Sequence, residues 1–459
     1  MRIERDSLGE KALTEDVYWG IQTERAIENF PISGLSFPPE MPRAFGAIKA
    51  AAASANMELG TLDPKLGKLI VQAAGEVMEG KFDNQFPIDV FHSGAGTSYH
   101  MNANEVIANR ALELAGELKG SYEKISPNDH VNMSQSTNDV FPTALRVAAI
   151  WMLERQLYPA LDGLILSLDT KSREFDDIIK AGRTHLQDAV PIRLGQVFGG
   201  YAEAVRRALK AIRAAASELQ RVNLGATAVG TGINAPKGYQ ALAVENLAKL
   251  TGLSLRPAEN LVEITQSAGD FNRMSAALRS LAVELIRIAN DLRLLSSGPN
   301  TGFAEIKLPA VQPGSSIMPG KVNPSIAEMM DMVGFQVIGN DTTITLAAQA
   351  GQLELNVMLP VAANNLLQSI KILANASKVF DEKCIKGIEA DRERARRYAE
   401  TSEALVTMLS PRIGYLTAAE IAKEATASGR GLKEIILERG LIPEAELDAL
   451  LDPYAMTED

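Results

Sequence analysis

Met274-Ser-Ala-Ala-Leu-Arg-Ser-Leu-Ala-Val-Glu-Leu-Ile-Arg-Ile-Ala-Asn-Asp-Leu-Arg-Leu-Leu295 places Leu278, Leu281, Leu285, Ile288 and Leu292 at steps of three and four. That spacing puts them on one face of an α-helix, and the alanines between them keep the other faces small enough for neighbours on several sides. Such a helix belongs inside a bundle, one buried partly within an oligomer. The same pattern, here over 265 to 296, recurs over 140 to 180, 193 to 222, 237 to 251, 325 to 352 and 354 to 381, with shorter runs at 43 to 58 and 65 to 80. The expected fold is mainly α. The expected domains are an N-terminal helical domain with irregular, proline-punctuated arms over 1–138, a central helical bundle over 139–390, and a small polar C-terminal helical domain over 391–459.

Composition agrees with helices and narrows the function. Of 459 residues 46% are hydrophobic but only 5% aromatic, which suits close-packed helices better than a sheet sandwich. A net charge of −11 argues against nucleic acid as a partner, so an anionic ligand needs local positive groups. The single cysteine, Cys384, excludes an intrachain disulfide and a cysteine-rich metal site. No stretch of about 18 apolar residues occurs and the N-terminus carries no apolar leader, so a cytoplasmic protein away from membranes is expected.

Between two of the helical patterns, residues 298–324 hold Gly298, Gly302, Gly314 and Gly320 with Pro299, Pro309, Pro313, Pro319 and Pro324. So long an irregular stretch with apolar content reads as a functional loop. Within Gly314-Ser-Ser-Ile-Met-Pro-Gly-Lys-Val-Asn-Pro324, Gly314 permits close backbone approach, Ser315 and Ser316 offer hydroxyls, and Lys321, expected to be buried, offers a charge for carboxylate or phosphate.

Three further segments are rich in hydroxyl, amide and glycine: Ser93-Gly-Ala-Gly-Thr-Ser98, Asn132-Met-Ser-Gln-Ser-Thr-Asn-Asp139 and Gly182-Arg-Thr-His-Leu-Gln-Asp188. Helix capping by Thr97, Thr137 or Asn138 accounts for any one of them. Four such segments together point instead to helix N-termini converging on carboxylates. His185, flanked by Thr184 and Gln187, suits an orienting or proton-handling role, or a hydrogen-bonded structural one. The four histidines show no metal-site spacing, so no metal is expected. Gly225-Ala-Thr-Ala-Val-Gly-Thr-Gly232 neither follows a strand pattern nor ends in Gly-Lys-Ser/Thr, which argues against a nucleotide cofactor.

The loop, taken with Gly94-Ala-Gly-Thr-Ser98, Ser134-Gln-Ser-Thr-Asn-Asp139 and Gly182 to Asp188, resembles the aspartase/fumarase superfamily of fumarate-forming lyases. The similarity runs from Leu8-Gly-Glu through Ile338-Gly-Asn-Asp to Leu437-Glu-Arg-Gly-Leu-Ile. Within it, these motifs and Ala350-Gly-Gln-Leu-Glu-Leu-Asn-Val357 look more like the aspartate ammonia-lyases than the class II fumarases. The resemblance implies a three-domain fold whose central long-helix bundle forms a homotetrameric core, with each active site built by three chains. It also implies reversible anti elimination of ammonia from L-aspartate to fumarate, with no organic cofactor. Ser316, on a loop that closes over substrate, would be the general base. Thr97, Ser136, Thr137 and Ser316 would meet the carboxylate that gathers charge, and Lys321, Asn323 and Thr184 the other carboxylate. Asn138 and His185 would face the amino group.

The chain departs from that pattern at His100, where Asn is expected, and at Asn300-Thr301, where Arg-Ala or Arg-Cys is expected. His100 adds a titrating group, and the lost arginine weakens loop positioning or leaves room for a substituted aspartate. The alternatives are a fumarate hydratase, a lyase acting on a substituted aspartate, and a helical scaffold that binds dicarboxylates without turning them over.

Overall fold

The computed structural model describes residues 1–452 and 454–457. Its contacts resolve two units: one is Met1–Pro159, Ala208–Ala282 and Gly334–Asn375, the other Ala160–Arg207, Val283–Val333 and Ala376–Asp459. The chain is mainly α, with long helices at Leu194–Leu219, Gly269–Leu295, Ser325–Gln349 and Leu359–Lys383, as the periodicity predicts. The 140–180 pattern is broken in two. Thr137–Met152 passes through a wider π-turn, Leu153–Leu157, before Tyr158–Glu174, because Pro159 has no N–H to donate back to the preceding turn.

In the first unit the helix Glu40–Glu58 is buried almost all round. Met41, Phe45 and Ile48 are fully buried, and so are alanines on the other faces, which lets helices Pro64–Met78, Thr137–Met152 and Tyr239–Thr251 all pack on it. Gly46 marks a close approach: a Cβ there would lie 2.6 Å from the Met78 nitrogen and 2.7 Å from the Ala74 carbonyl. Helix Pro64–Met78 starts where Asp63 accepts from the Lys65 and Leu66 N–H groups, with Pro64 filling the position that needs no donor. Phe37, Phe45, Tyr99 and Phe141 form an aromatic knot, with ring centroids 5.1 Å apart for Phe37 and Tyr99 and 5.5 Å for Phe45 and Tyr99. Each such buried ring contributes about 1.5–3 kcal/mol through lost water contact.

The second unit holds an antiparallel hairpin, Ile179–Thr184 with Gln187–Arg193, that the helical periodicity on either side does not announce. Its closing residues, His185 and Leu186, sit at φ 55° and 60°, the geometry a two-residue hairpin turn demands. Glu305, fully buried, receives Arg183 at 2.7 Å, with Lys180 at 3.7 Å. Towards the C-terminus, helices Tyr415–Ser428, Leu432–Glu438 and Glu444–Leu450 enclose a small core around Ile421, Ile435, Ile436 and Leu447. Among the described residues no helix is long and apolar enough to cross a membrane.

Candidate active site

Two helix N-termini meet in the first unit. Ala95 and Gly96 take positive φ, 60° and 91°, and turn the chain sharply into helix Thr97–Leu114. Gly96 is obligatory, because a Cβ would lie 2.0 Å from Cδ2 of Phe141 in the adjoining helix. Ala95 N–H donates to Val357 O at 2.8 Å, tying the turn to the Ala350-to-Val357 segment. Thr97, the first helical residue, is exposed.

Helix Thr137–Met152 begins with a capping box. The Ser136 N–H donates to Asp139 at 3.0 Å while Ser136 Oγ accepts from the Asn138 N–H at 3.3 Å. The other Asp139 oxygen accepts from the Gly225 and Thr227 N–H groups, each at 3.0 Å. Asn138 Nδ2 donates to Ala228 O at 2.7 Å. The glycine-rich Gly225–Gly232 segment is therefore a clamp on this helix start. A two-residue strand, Arg221–Val222, does precede it, unlike the sequence expectation. Burial raises the Asp139 carboxyl to about 6, opposed by those backbone donors and by Lys49.

Lys49 and His100 link the two helix starts. Lys49 lies mid-helix in Glu40–Glu58 with no exposed surface, and its Nζ meets His100 Nε2 at 2.7 Å, Gln135 Oε1 at 2.9 Å and Asn132 Oδ1 at 3.1 Å. On the far side of the ring, His100 Nδ1 lies 2.7 Å from Thr137 Oγ1. Burial pushes the Lys49 ammonium well below its ordinary value, with Asp139 opposing. Burial, then the Lys49 charge, does the same to the His100 imidazole, which is thereby neutral. The sequence reading passed over Lys49. The available signal was a lone lysine inside Ala44 to Ala55, where apolar residues occupy every face.

The second unit carries the other candidates in two places. Thr184 and His185 are exposed at the hairpin tip, above a cleft of about 410 Å³ lined by Arg183, Thr184, Tyr201, Leu295 and Phe303. The catalytic-loop candidate closes on itself. Gly314 N–H donates to Lys321 O at 2.8 Å, Asn323 Nδ2 donates to Gly314 O at 2.7 Å, and Ser315 Oγ accepts from Ile317 and Met318 N–H. A Cβ on Gly314 would lie 2.5 Å from Lys321 O, so the close approach expected of this glycine is made by the loop's own backbone. Ser316 is exposed, and Lys321 is exposed rather than buried: the loop uses its carbonyl and leaves its ammonium in solvent. Lys321 and Asn323, with Arg293, Ser296 and Ser297, line a second cleft of about 530 Å³. Asn300 and Thr301 are exposed, and Arg394 reaches the Pro299 carbonyl beside them at 2.8 Å. The structure thus groups Thr97 with Ser136, Thr137 and Asn138 in one unit. Ser316, Lys321 and Asn323 share a loop in the other unit, apart from Thr184 and His185. Among the described residues no group of three or more His, Cys, Asp or Glu is arranged to hold a metal ion.

A family model described as lyase matches residues 9–339, and one described as fumarase C C-terminus matches 405–458. The chain belongs to the aspartase/fumarase superfamily. It is 52% identical to the aspartate ammonia-lyase of a Bacillus species, covering 100% of this chain and 97% of that one. It is 48% identical to the class II fumarate hydratase of Brucella suis, covering 98% and 97%. The solved fumarate lyase:delta crystallin from Brucella melitensis bound to cobalt superposes with a TM-score of 0.97 at 49% identity over the full length of both chains. The protein is accordingly an enzyme of this lyase superfamily with its mainly α fold.

Proposed function

We propose that this enzyme is an aspartate ammonia-lyase that interconverts L-aspartate with fumarate and ammonia. The observation that carries the reading is the cluster of hydroxyl donors at two adjoining helix N-termini, Thr97 and Ser136–Thr137, in a chain 49–52% identical to proteins named aspartate ammonia-lyase. Helix N-termini and hydroxyls favour a carboxylate, and favour it more as it gathers charge. Ser316 Oγ, as the alkoxide, takes the Cβ proton. The C–H pair moves into the neighbouring carboxylate as an aci-carboxylate held by Thr97, Ser136, Thr137 and Ser316. That pair then forms the Cα–Cβ double bond as the C–N pair leaves with nitrogen as ammonia, anti to the lost proton. Lys321, Asn323 and Thr184 hold the second carboxylate, and Asn138 and His185 face the amine. The exposure of Ser316, Lys321, Thr184 and His185 in a single chain suits a homotetramer in which three chains complete each site.

A second reading, fumarate hydratase, is favoured by the 47–48% identity to class II fumarate hydratases. Absorbance at the fumarate band with L-aspartate and L-malate in parallel separates them. A rise with aspartate alone supports the first reading, and a rise with malate alone replaces it with the second.

A further inference from the structure

We infer that Lys49 and His100 are positioning residues whose shared hydrogen-bond chain sets which way the Thr137 hydroxyl points its proton. The inference rests on the reading of Thr137 as a carboxylate donor, and deepens it. An ammonium has three N–H bonds, and Lys49 Nζ has three acceptors within reach: His100 Nε2, Gln135 Oε1 and Asn132 Oδ1. With all three bonds donated, His100 Nε2 must carry a lone pair. The ring proton then sits on Nδ1 and is donated to Thr137 Oγ1 at 2.7 Å, which leaves the threonine's own proton free for a substrate oxygen. When Lys49 loses its proton the order reverses. Nε2–H donates to the Nζ lone pair, Nδ1 becomes an acceptor, and the Thr137 O–H turns inward to it. One buried proton thereby decides whether the helix start offers its hydroxyl or withholds it.

The geometry confines the switch. Lys49 and His100 are 0% and 1% exposed, so bulk solvent does not reach their nitrogens directly. From the helix Thr137–Met152 the facing charge is Asp139, which favours the ammonium, and at the start of Tyr239–Thr251 the buried Tyr239, which feels the same Asp139, is held un-ionised by burial and by that carboxylate. On Pro64–Met78 the nearest carboxylate, Glu76, is spent on Arg110 at 2.6 Å. The residue that makes this a switch is His100, one of the two places at which the superfamily resemblance leads to a different expectation, here asparagine. An asparagine there has one fixed acceptor end and one fixed donor end, so it holds the threonine proton outward whatever the state of Lys49.

The test uses the assembled enzyme and succinate, a dicarboxylate that cannot be turned over, with affinity measured by calorimetry between about pH 6 and about pH 9. Wild type should lose about tenfold to a hundredfold in affinity towards the alkaline end, the worth of one donor to a charged oxygen. His100→Asn should bind like wild type near neutral pH and lose that alkaline fall. An equal fall in both proteins overturns the switch. Imidazole nitrogen NMR on wild type gives an independent reading: His100 should be Nδ1-protonated at neutral pH, and an Nε2-protonated ring there overturns the inference even if the variant fails to fold. Thr137→Val separates the underlying reading, because binding unchanged at neutral pH removes Thr137 from the carboxylate site while leaving the tautomer result intact.

Discussion

Thr137→Val exchanges a hydroxyl for a methyl without changing the branched shape that the first turn of its helix accommodates. Two consequences follow from the contacts of Oγ1. His100 Nδ1, 2.7 Å away in a residue only 1% exposed, loses its partner, and an unsatisfied buried polar group costs about 1–3 kcal/mol. The developing aci-carboxylate loses one preorganised donor, a loss of about a hundredfold to a thousandfold in kcat/KM. Thr137→Ser keeps the hydroxyl and should recover most of both losses. Urea unfolding reads the first quantity and initial rates of fumarate formation the second. A Thr137→Val enzyme with kcat/KM within about threefold of wild type would refute the assignment of Thr137 to the substrate, however its stability changed.

Ser316→Ala should lower kcat by about a hundredfold to ten-thousandfold, the usual weight of a general base, while the assembly elutes unchanged in size-exclusion chromatography; near-normal turnover would move the base elsewhere. Gly96→Ala forces a Cβ to 2.0 Å from the Phe141 ring at φ 91°, so it should cost about 2 kcal/mol or more in unfolding free energy, and a neutral effect would mean the turn is not held as described. Glu105 accepts from the Gly20, Gln22 and Thr23 backbones and the Thr23 hydroxyl, yet burial raises its carboxyl to about 7 from 4.5. A raised folded-state value makes its stability contribution full below 4.5 and lost as pH rises through about 7, so wild type should lose more stability between about pH 5 and about pH 8 than Glu105→Gln, and parallel curves would contradict this.

The long helices were legible because their apolar steps of three and four continue for many turns: Leu194–Leu219, Gly269–Leu295 and Ser325–Gln349 fall within a few residues of the predicted patterns. Breaks depended on single residues that periodicity averages over, such as Pro159. The Ile179–Arg193 hairpin was missed because its turn uses His185 and Leu186 at positive φ, a conformation usually signalled by glycine or asparagine. The hydroxyl and amide segments were legible as candidates because such residues cluster without a packing reason. Their division of labour was not. Asn323 pins its own loop by a bond back to Gly314, while Asn138 is held by Ala228 and Lys49 reaches Thr137 only through His100, the last two being relations between residues dozens of positions apart that no local pattern encodes.

Fumarate given to the purified enzyme with ammonium in deuterated water sets nitrogen against solvent as the nucleophile in one tube, and proton NMR reads both products. The account predicts aspartate carrying a single deuterium at Cβ, as one diastereomer set by anti addition. Deuterated malate with no aspartate would contradict it.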